Sequence, residues 1–205
     1  MGRPWQMPAG NLAISGLIRL RPGEEGRAPE LGFVAALALH DAVAGLIERV
    51  DPHLGLLQLK WPNDLLLAGG KLSGILLEQE ADALILGIGV NLCEAPAIPG
   101  RATAALAGHG VAVGAAEFAE RLAHCFAARR GEWRAQGFAA IRAAWLARAH
   151  PPGTALRVTS GPRHIDGRFQ GLAEDGALLL LDADEHLHVV HAGDVFARPL
   201  AREGG

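Results

Sequence analysis

The sequence predicts an α+β protein, a largely antiparallel mixed sheet packed with helices, followed by a small SH3-like β-barrel. Three observations carry this reading. A segment of helical periodicity at residues 31–50 precedes four short strand-like runs joined by hairpin-length connections, which implies mostly antiparallel pairing. Pro151-Pro152-Gly153 then punctuates the chain, and the roughly fifty residues beyond it form brief β runs with turn signals about every eight to twelve residues. The 205 residues are 50% apolar, enough for one well-cored domain with a small appendage. The expected division is residues 1–150 and 153–205.

The elements follow in order. Residues 10–20, GNLAISGLIRL, place apolar side chains at Leu12, Ile14 and, after a slip at Gly16, Leu17 and Ile18, as a buried strand would. A Pro/Gly/Glu-rich connection at 21–29 leads into 31–50, where Val34, Ala38, Ala42, Leu46 and Val50 recur at helical spacing. Residues 56–60, 65–68, 72–79 and 84–92 read as strands, separated by Pro62-Asn63-Asp64, Ala68-Gly69-Gly70 and Glu80-Ala81-Asp82. After a coil containing Pro96, Pro99 and Gly100, a second helical region runs from about 115 to 149, interrupted near Gly131 and Gly137. The C-terminal runs are 155–159, 164–172, 177–182, 186–191 and 195–198.

Composition excludes several classes. A formal net charge of -3, with arginines spread along the chain, argues against nucleic acid as the primary partner. Cys93 and Cys125 lie in apolar contexts without CxxC spacing, which predicts reduced, partly buried thiols and a cytoplasmic location. No apolar run approaches the ~20 residues of a membrane span, and the N-terminus lacks the charged-then-apolar pattern of a signal peptide.

The basic residues point to a site. Lys60 and Lys71 are the only lysines among 19 basic residues, and both fall in one stretch, KWPNDLLLAGGKLSGILLE. A chain that uses arginine elsewhere but lysine at two nearby positions implies a need for compact ammonium groups, hence an anionic ligand. Trp61-Pro-Asn-Asp64 reads as a strand ending in a tight turn that displays Asn63 and Asp64. A carboxamide can read a heterocycle and an aspartate can orient a cation, although plain Asx-turn chemistry is the better account of this pair taken alone. Gly74 interrupts a strand, through ligand approach, a bulge or crowded packing. In Leu86-Gly-Ile-Gly-Val-Asn91, period two puts Gly87, Gly89 and Asn91 on one face, nearly bare of side chains, over which a flat ligand can lie. Walker A needs Ser or Thr after Gly70-Lys71, and the Gly87-Ile-Gly89 run lacks a dinucleotide fingerprint's third glycine. GxSxG, HExxH and CxxC do not occur, and His186, His188 and His191 read as exposed strand residues rather than metal ligands.

Together, Lys-Trp-Pro-Asn-Asp-Leu, Gly-Lys-Leu-Ser-Gly-Ile-Leu-Leu-Glu and Gly-Ile-Gly-Val-Asn resemble the core of a bacterial biotin–protein ligase. The resemblance extends from Gly2-Arg3-Pro4-Trp5 to His191-Ala-Gly-Asp-Val-Phe196. It implies a class II synthetase-like catalytic domain over 1–150, an SH3-like domain over 153–205, and ATP- and Mg2+-dependent conversion of biotin to biotinyl-5'-AMP. The acyl group then passes to a lysine of a biotin carboxyl carrier protein domain. Lipoate-handling acyltransferases share the architecture, but Lys-Trp-Pro-Asn-Asp favours biotin. By the same resemblance, Lys71 contacts the biotin carboxylate and the α-phosphate, and Lys60 is a second electrostatic contributor. Asn63, Asp64 and Asn91 resemble nucleotide-site residues, Trp5 the aromatic on adenine, and Gly74 a backbone contact to biotin, with Gly89 on the bare strand face. Family members often pair through their sheets, which makes a homodimer an expectation as well. The family's pattern continues upstream of Gly2 with a Gly-Arg-Gly-Arg loop, a preceding glutamine and a strand of hydroxyl residues, so in-frame DNA upstream of Met1 is expected to encode Gly-Arg-Gly-Arg. A chain without that loop could instead be a non-catalytic module binding biotin, nucleotide or a carrier domain. The sequence carries no N-terminal helix-turn-helix, so a repressor role is not expected.

Overall fold

The computed structural model describes residues 8–50, 57–80, 83–160 and 163–197. Trp5 lies outside them. Strand β1 (Leu12–Arg19) leads through a short 3-10 turn to helix α1 (Glu30–Ile47), then β2 (Leu57–Lys60), β3 (Asp64–Leu67), β4 (Gly70–Glu80) and β5 (Ala83–Val90). Helices α2 (Ala115–Gln136) and α3 (Phe138–Leu146) follow, then β6 (Ala155–Ser160), β7 (Arg163–Leu172), β8 (Leu178–Leu181), β9 (Leu187–Val190) and β10 (Asp194–Ala197).

The first sheet has the order β1-β5-β4-β3-β2 and the second β10-β6-β7-β8-β9, with every neighbouring pair antiparallel. The expected α+β class therefore holds. Helix α1 packs against β2, β3 and β4 and against α2 and α3, so apolar residues all round it are buried, including Leu31, Val34, Leu37, Leu39 and Val43. By length and apolar character it could cross a membrane, but 61% of it is buried in the protein, as befits a core helix surrounded by other elements. It ends before Val50, which is exposed.

Three sequence expectations need correction. The predicted buried strand β1 is an edge strand of the described sheet, buried only at Leu12 and Ile18, because no strand among the described residues pairs with its outer edge, and Leu17 is left 67% exposed. Gly131 does not interrupt a helix, since it lies within α2. The break is at Gly137 alone, where a φ of 77° is left-handed backbone that glycine adopts without a Cβ clash. Cys93 is exposed rather than partly buried, its thiol directed at the Gly10 carbonyl at 3.4 Å.

The two sheets share one continuous apolar core. Phe33 of α1 packs edge-on against Phe138 and Trp145 of α3, at 5.3 and 5.7 Å between ring centres. The Trp61 indole donates to the Gly176 carbonyl at 3.1 Å, and Arg142 of α3 donates to the Leu172 carbonyl at 3.1 Å. These contacts seat the β7–β8 connection of the second sheet against α3 and the β2–β3 turn of the first.

Candidate active site

The register of the first sheet builds the site. Lys60 pairs with Asp64, Asp64 with Gly74, Gly74 with Gly89 and Gly89 with Ala13. Directly opposed residues share a face, so one row crosses all five strands, with an ion pair at one end and two glycines in its middle. Adjacent rows such as Leu12 and Val90 are buried on the other face.

Lys71 reaches this row through an irregularity. Pairing shifts between Leu65 and Leu66, so that Leu65 faces Ser73 while Leu66 faces Lys71 and Leu72 is the extra residue. In a regular ladder, period two would place Lys71 on the face opposite Asp64. The bulge turns it back onto the same face, where its ammonium lies 2.5 Å from Asp64 Oδ1. The Lys60 ammonium lies 3.0 Å from Oδ2 of the same carboxylate. Asp64 is 6% exposed, so its charge is satisfied by the two lysines rather than by water, and the trio keeps one net positive charge.

Neighbouring segments fix the trio. Between Lys60 and Asp64 the chain turns through Trp61, a cis peptide and Pro62. Asn63 clamps this turn to β4: its amide donates to the Ile75 carbonyl at 2.6 Å and its carbonyl accepts from the Ile75 N–H at 2.9 Å. Lys60 also donates to the Val195 carbonyl of β10 at 3.0 Å. A strap through Ala102 and Thr103 runs alongside the start of β4, with Lys71 N–H donating to Ala102 O at 2.9 Å and Ala104 N–H to Lys71 O at 3.0 Å. The approach is close enough that a Cβ on Gly70 would lie 2.8 Å from the Thr103 carbonyl carbon.

Asn91 stands just past the end of β5 and is 2% exposed. Its amide donates to the carbonyls of Ala104 and Lys71, at 3.0 and 3.3 Å, while its buried Oδ1 has no hydrogen-bond partner among the described residues. Lys60, Asp64, Lys71, Asn91, Arg101 and Asp194 all line one cavity of about 370 Å³, the size of a small-molecule site. Gly74 and Gly89 continue the row away from this lining. The cavity thus offers cations for an anionic ligand, with the Asn91 carboxamide in its wall.

Sequence reasoning missed Arg101, Asp194 and the buried His150. Burial, and then the charge of Lys60, hold His150 below the usual imidazole range and thus neutral. Arg101 and His150 sit in no recognisable run, Asp194 falls within the His191–Phe196 run without being singled out, and only the tertiary fold brings the three near Lys60. Of the predicted histidines, His186 and His191 are exposed, while His188 bonds Asp182 at 2.6 Å.

Similarity to known proteins fits this geometry. Residues 1–92 match the Biotin/lipoate A/B protein ligase family, and residues 155–198 match the Biotin protein ligase C terminal domain. The biotin–[acetyl-CoA-carboxylase] ligase of Paracoccus denitrificans is 42% identical over 209 residues, spanning 95% of this chain and 83% of that protein. The chain belongs to the biotin protein ligase family. Another relative, the bifunctional ligase/repressor BirA of Bacillus subtilis, is 30% identical over 95% of this chain, but the match spans only 61% of that protein. Biotin protein ligase from Aquifex aeolicus, solved in complex with biotin and ATP, shares the fold with a TM-score of 0.78 at 24% identity, over 96% of this chain and 83% of that one. The match to the C-terminal domain of the biotin protein ligases identifies the second sheet as the family's SH3-like unit.

Proposed function

We propose that this protein is an ATP-dependent biotin–protein ligase, which forms biotinyl-5'-AMP and transfers the biotinyl group to a lysine of a biotin carboxyl carrier domain. The observation that carries the mechanism is the Lys60–Asp64–Lys71 trio on a cavity that Asn91 also lines. In the first step a biotin carboxylate oxygen bonds to the α-phosphorus of ATP, the bond to the bridging oxygen breaks, and pyrophosphate leaves with the electron pair. Two anions must meet. Lys71 lowers their repulsion and stabilises the charge on the pentavalent phosphorus, with Lys60 adding to the local field. Asp64 fixes both ammoniums before the ligand arrives, so little reorganisation accompanies the reaction.

Asn91 Oδ1 fits an N–H donor such as the exocyclic amine of adenine, with Asn63 at the adjoining turn and Trp5 as the stacking aromatic. Gly74 and Gly89 leave sheet backbone accessible to the ureido ring and acyl chain of biotin. In the second step the carrier lysine attacks the acyl carbon of the mixed anhydride, the acyl–oxygen bond breaks and AMP departs, with Asp64 or an adenylate oxygen accepting the amine proton.

Magnesium enters with ATP as its counterion. Of the two carboxylates lining the cavity, Asp64 is held by two lysines and Asp194 pairs with Arg101, so the described residues supply no resident metal site there. The catalytic unit is placed in residues 1–150 and the small β-domain in 153–205, with a cytoplasmic location and a homodimer as further parts of the reading. A module that binds without turnover is the weaker alternative, because the charged residues of the ligase signature line one cavity.

The test is incubation of the protein with biotin, ATP, magnesium and an apo biotin carrier domain, with lipoate in parallel, followed by mass spectrometry. Biotin-dependent mass gain on the carrier supports the reading. Absence of both adenylate and transfer, from this chain and from one extended upstream in frame, refutes it.

A further inference from the structure

Resting on the reading of this cavity as the ATP site, the geometry points to Arg101 as a third cation of the reaction, one that grips the β- and γ-phosphates and stabilises the departing pyrophosphate. Three observations converge. Arg101 lines the same cavity as Lys60 and Lys71. It is held there by a turn, in which Arg101 N–H donates to the Ile98 carbonyl at 3.1 Å around Pro99 and Gly100, whose φ is 72°. The strap resumes at the next residue, where Ala102 accepts the Lys71 N–H, so Arg101 is anchored beside Lys71 through backbone rather than by chance of its long side chain.

Its present partners are replaceable. The guanidinium lies over the Phe196 ring, 5.1 Å from its centre, and 3.3 Å from Asp194 Oδ2, a carboxylate whose side chain is 56% exposed. Exposed ion pairs contribute little, whereas the flat aromatic face orients the guanidinium without using its N–H groups. An incoming phosphate therefore exchanges a weak carboxylate partner for a stronger one while the stack persists. The planar fork suits two phosphate oxygens at once.

The assignment also gives the three cations different work. Lys60 and Lys71 share the buried carboxylate of Asp64 and are fixed in position. Neutralised in part by Asp64, that pair supplies one net positive charge against a triphosphate bearing several negative charges. Arg101, whose counter-anion faces water, supplies the balance for the leaving group. Phe196 and Asp194 belong to β10, so the small β-domain takes part in ATP binding through the posture it gives Arg101.

The test is calorimetric, which keeps it independent of turnover. Affinities of MgATP and of AMP are measured for the wild type, Arg101→Gln and Asp194→Asn, with thermal melting to verify folding. Arg101→Gln is expected to weaken MgATP roughly ten- to hundredfold, as for loss of a charge-assisted pair, while changing AMP by less than about twofold, because AMP lacks the phosphates concerned. Asp194→Asn, which removes the competing anion, is expected to tighten MgATP. Equal losses for ATP and AMP in Arg101→Gln, or weaker ATP binding in Asp194→Asn, would show a structural latch and overturn the proposal. If the wild type binds ATP and Arg101→Gln binds it equally well, Arg101 alone is wrong. If the wild type fails to bind ATP at all, the reading of the cavity falls with it.

Discussion

Replacing Lys71 with alanine separates the catalytic from the structural account of the lysine pair. Its ammonium sits 2.5 Å from Asp64 Oδ1, and the second lysine sits 3.0 Å from Oδ2. Truncation therefore leaves Asp64 paired with Lys60, and the loss is that of one ionic contact to a buried charge, about 1.5–3 kcal/mol before relief of the lysine–lysine repulsion. In a chain of this size each kcal/mol moves Tm by about 2–4 °C, so a fall of roughly 3–12 °C is expected. The backbone contacts of Lys71 with Ala102 and Ala104 survive in alanine. Removing a preorganised donor from a developing oxyanion costs about 10²–10³ in rate, so adenylate formation should drop by that factor or more. Biotin-dependent exchange of labelled pyrophosphate into ATP measures the rate, and scanning calorimetry the Tm. Lys71→Arg sharpens the result, since it restores the charge beside Asp64 and most of the Tm but presents a fork where a compact ammonium is required. Exchange within tenfold of wild type in a folded Lys71→Ala protein would refute the argument, leaving Lys71 as no more than a counter-ion to Asp64.

The remaining predictions concern the walls of the site and the helix layer. Asn91→Ala removes the unpartnered Oδ1 and should weaken ATP about tenfold while leaving biotin nearly unchanged; equal losses in titrations of the two ligands would contradict its place on the nucleotide side. Gly70→Ala puts a methyl 2.8 Å from the Thr103 carbonyl carbon and 2.9 Å from its oxygen, both backbone atoms, so the strap must shift. A loss of about 1–3 kcal/mol in urea unfolding, with weakened ATP binding, is expected, and an unchanged midpoint would show that the strap yields freely. Glu24 is held at a pKa of about 2 chiefly by its hydrogen bond from Arg134, with Arg21 N–H and Arg130 assisting against the opposing effect of burial. Because the folded value lies below the ordinary 4.5, its contribution is present in full above pH 4.5 and disappears as pH falls toward 2. The Tm gap between wild type and Glu24→Gln should therefore close over that window, and a gap persisting at pH 2 would count against the ion pairs as its origin.

What could be read in the chain divides by the range of the interaction that decides it. Helical and strand periods are local, and the order of elements follows from them. The confinement of lysine to positions 60 and 71 marks the site because it reflects a local chemical requirement for compact cations. Gly131 and Gly137 show where locality ends. A helix-interior glycine costs only about 1 kcal/mol, which the fully buried Trp133 two residues later readily offsets, so α2 runs through the first glycine and stops at the second, where the φ becomes positive.

The encounter of Lys71 with Asp64 was illegible for a sharper reason. Counting by twos along β4 from Gly74, the register partner of Asp64, assigns Lys71 to the wrong face, and only the bulge opposite Leu65 and Leu66 reverses it. Gly74 leaves a bulge open as one of three readings, but no residue in Gly-Lys-Leu-Ser-Gly places it at Leu72. Its physical reason lies in what it brings together, since a regular ladder would leave the buried Asp64 with Lys60 alone and turn Lys71 toward the apolar side of the sheet, where an ammonium has no anionic partner. The two oxygens of the buried Asp64 carboxylate each take one lysine, at 3.0 and 2.5 Å. Asp64, which in sequence looks like half of an ordinary Asx turn, is thus the residue on which the positions of both cations depend.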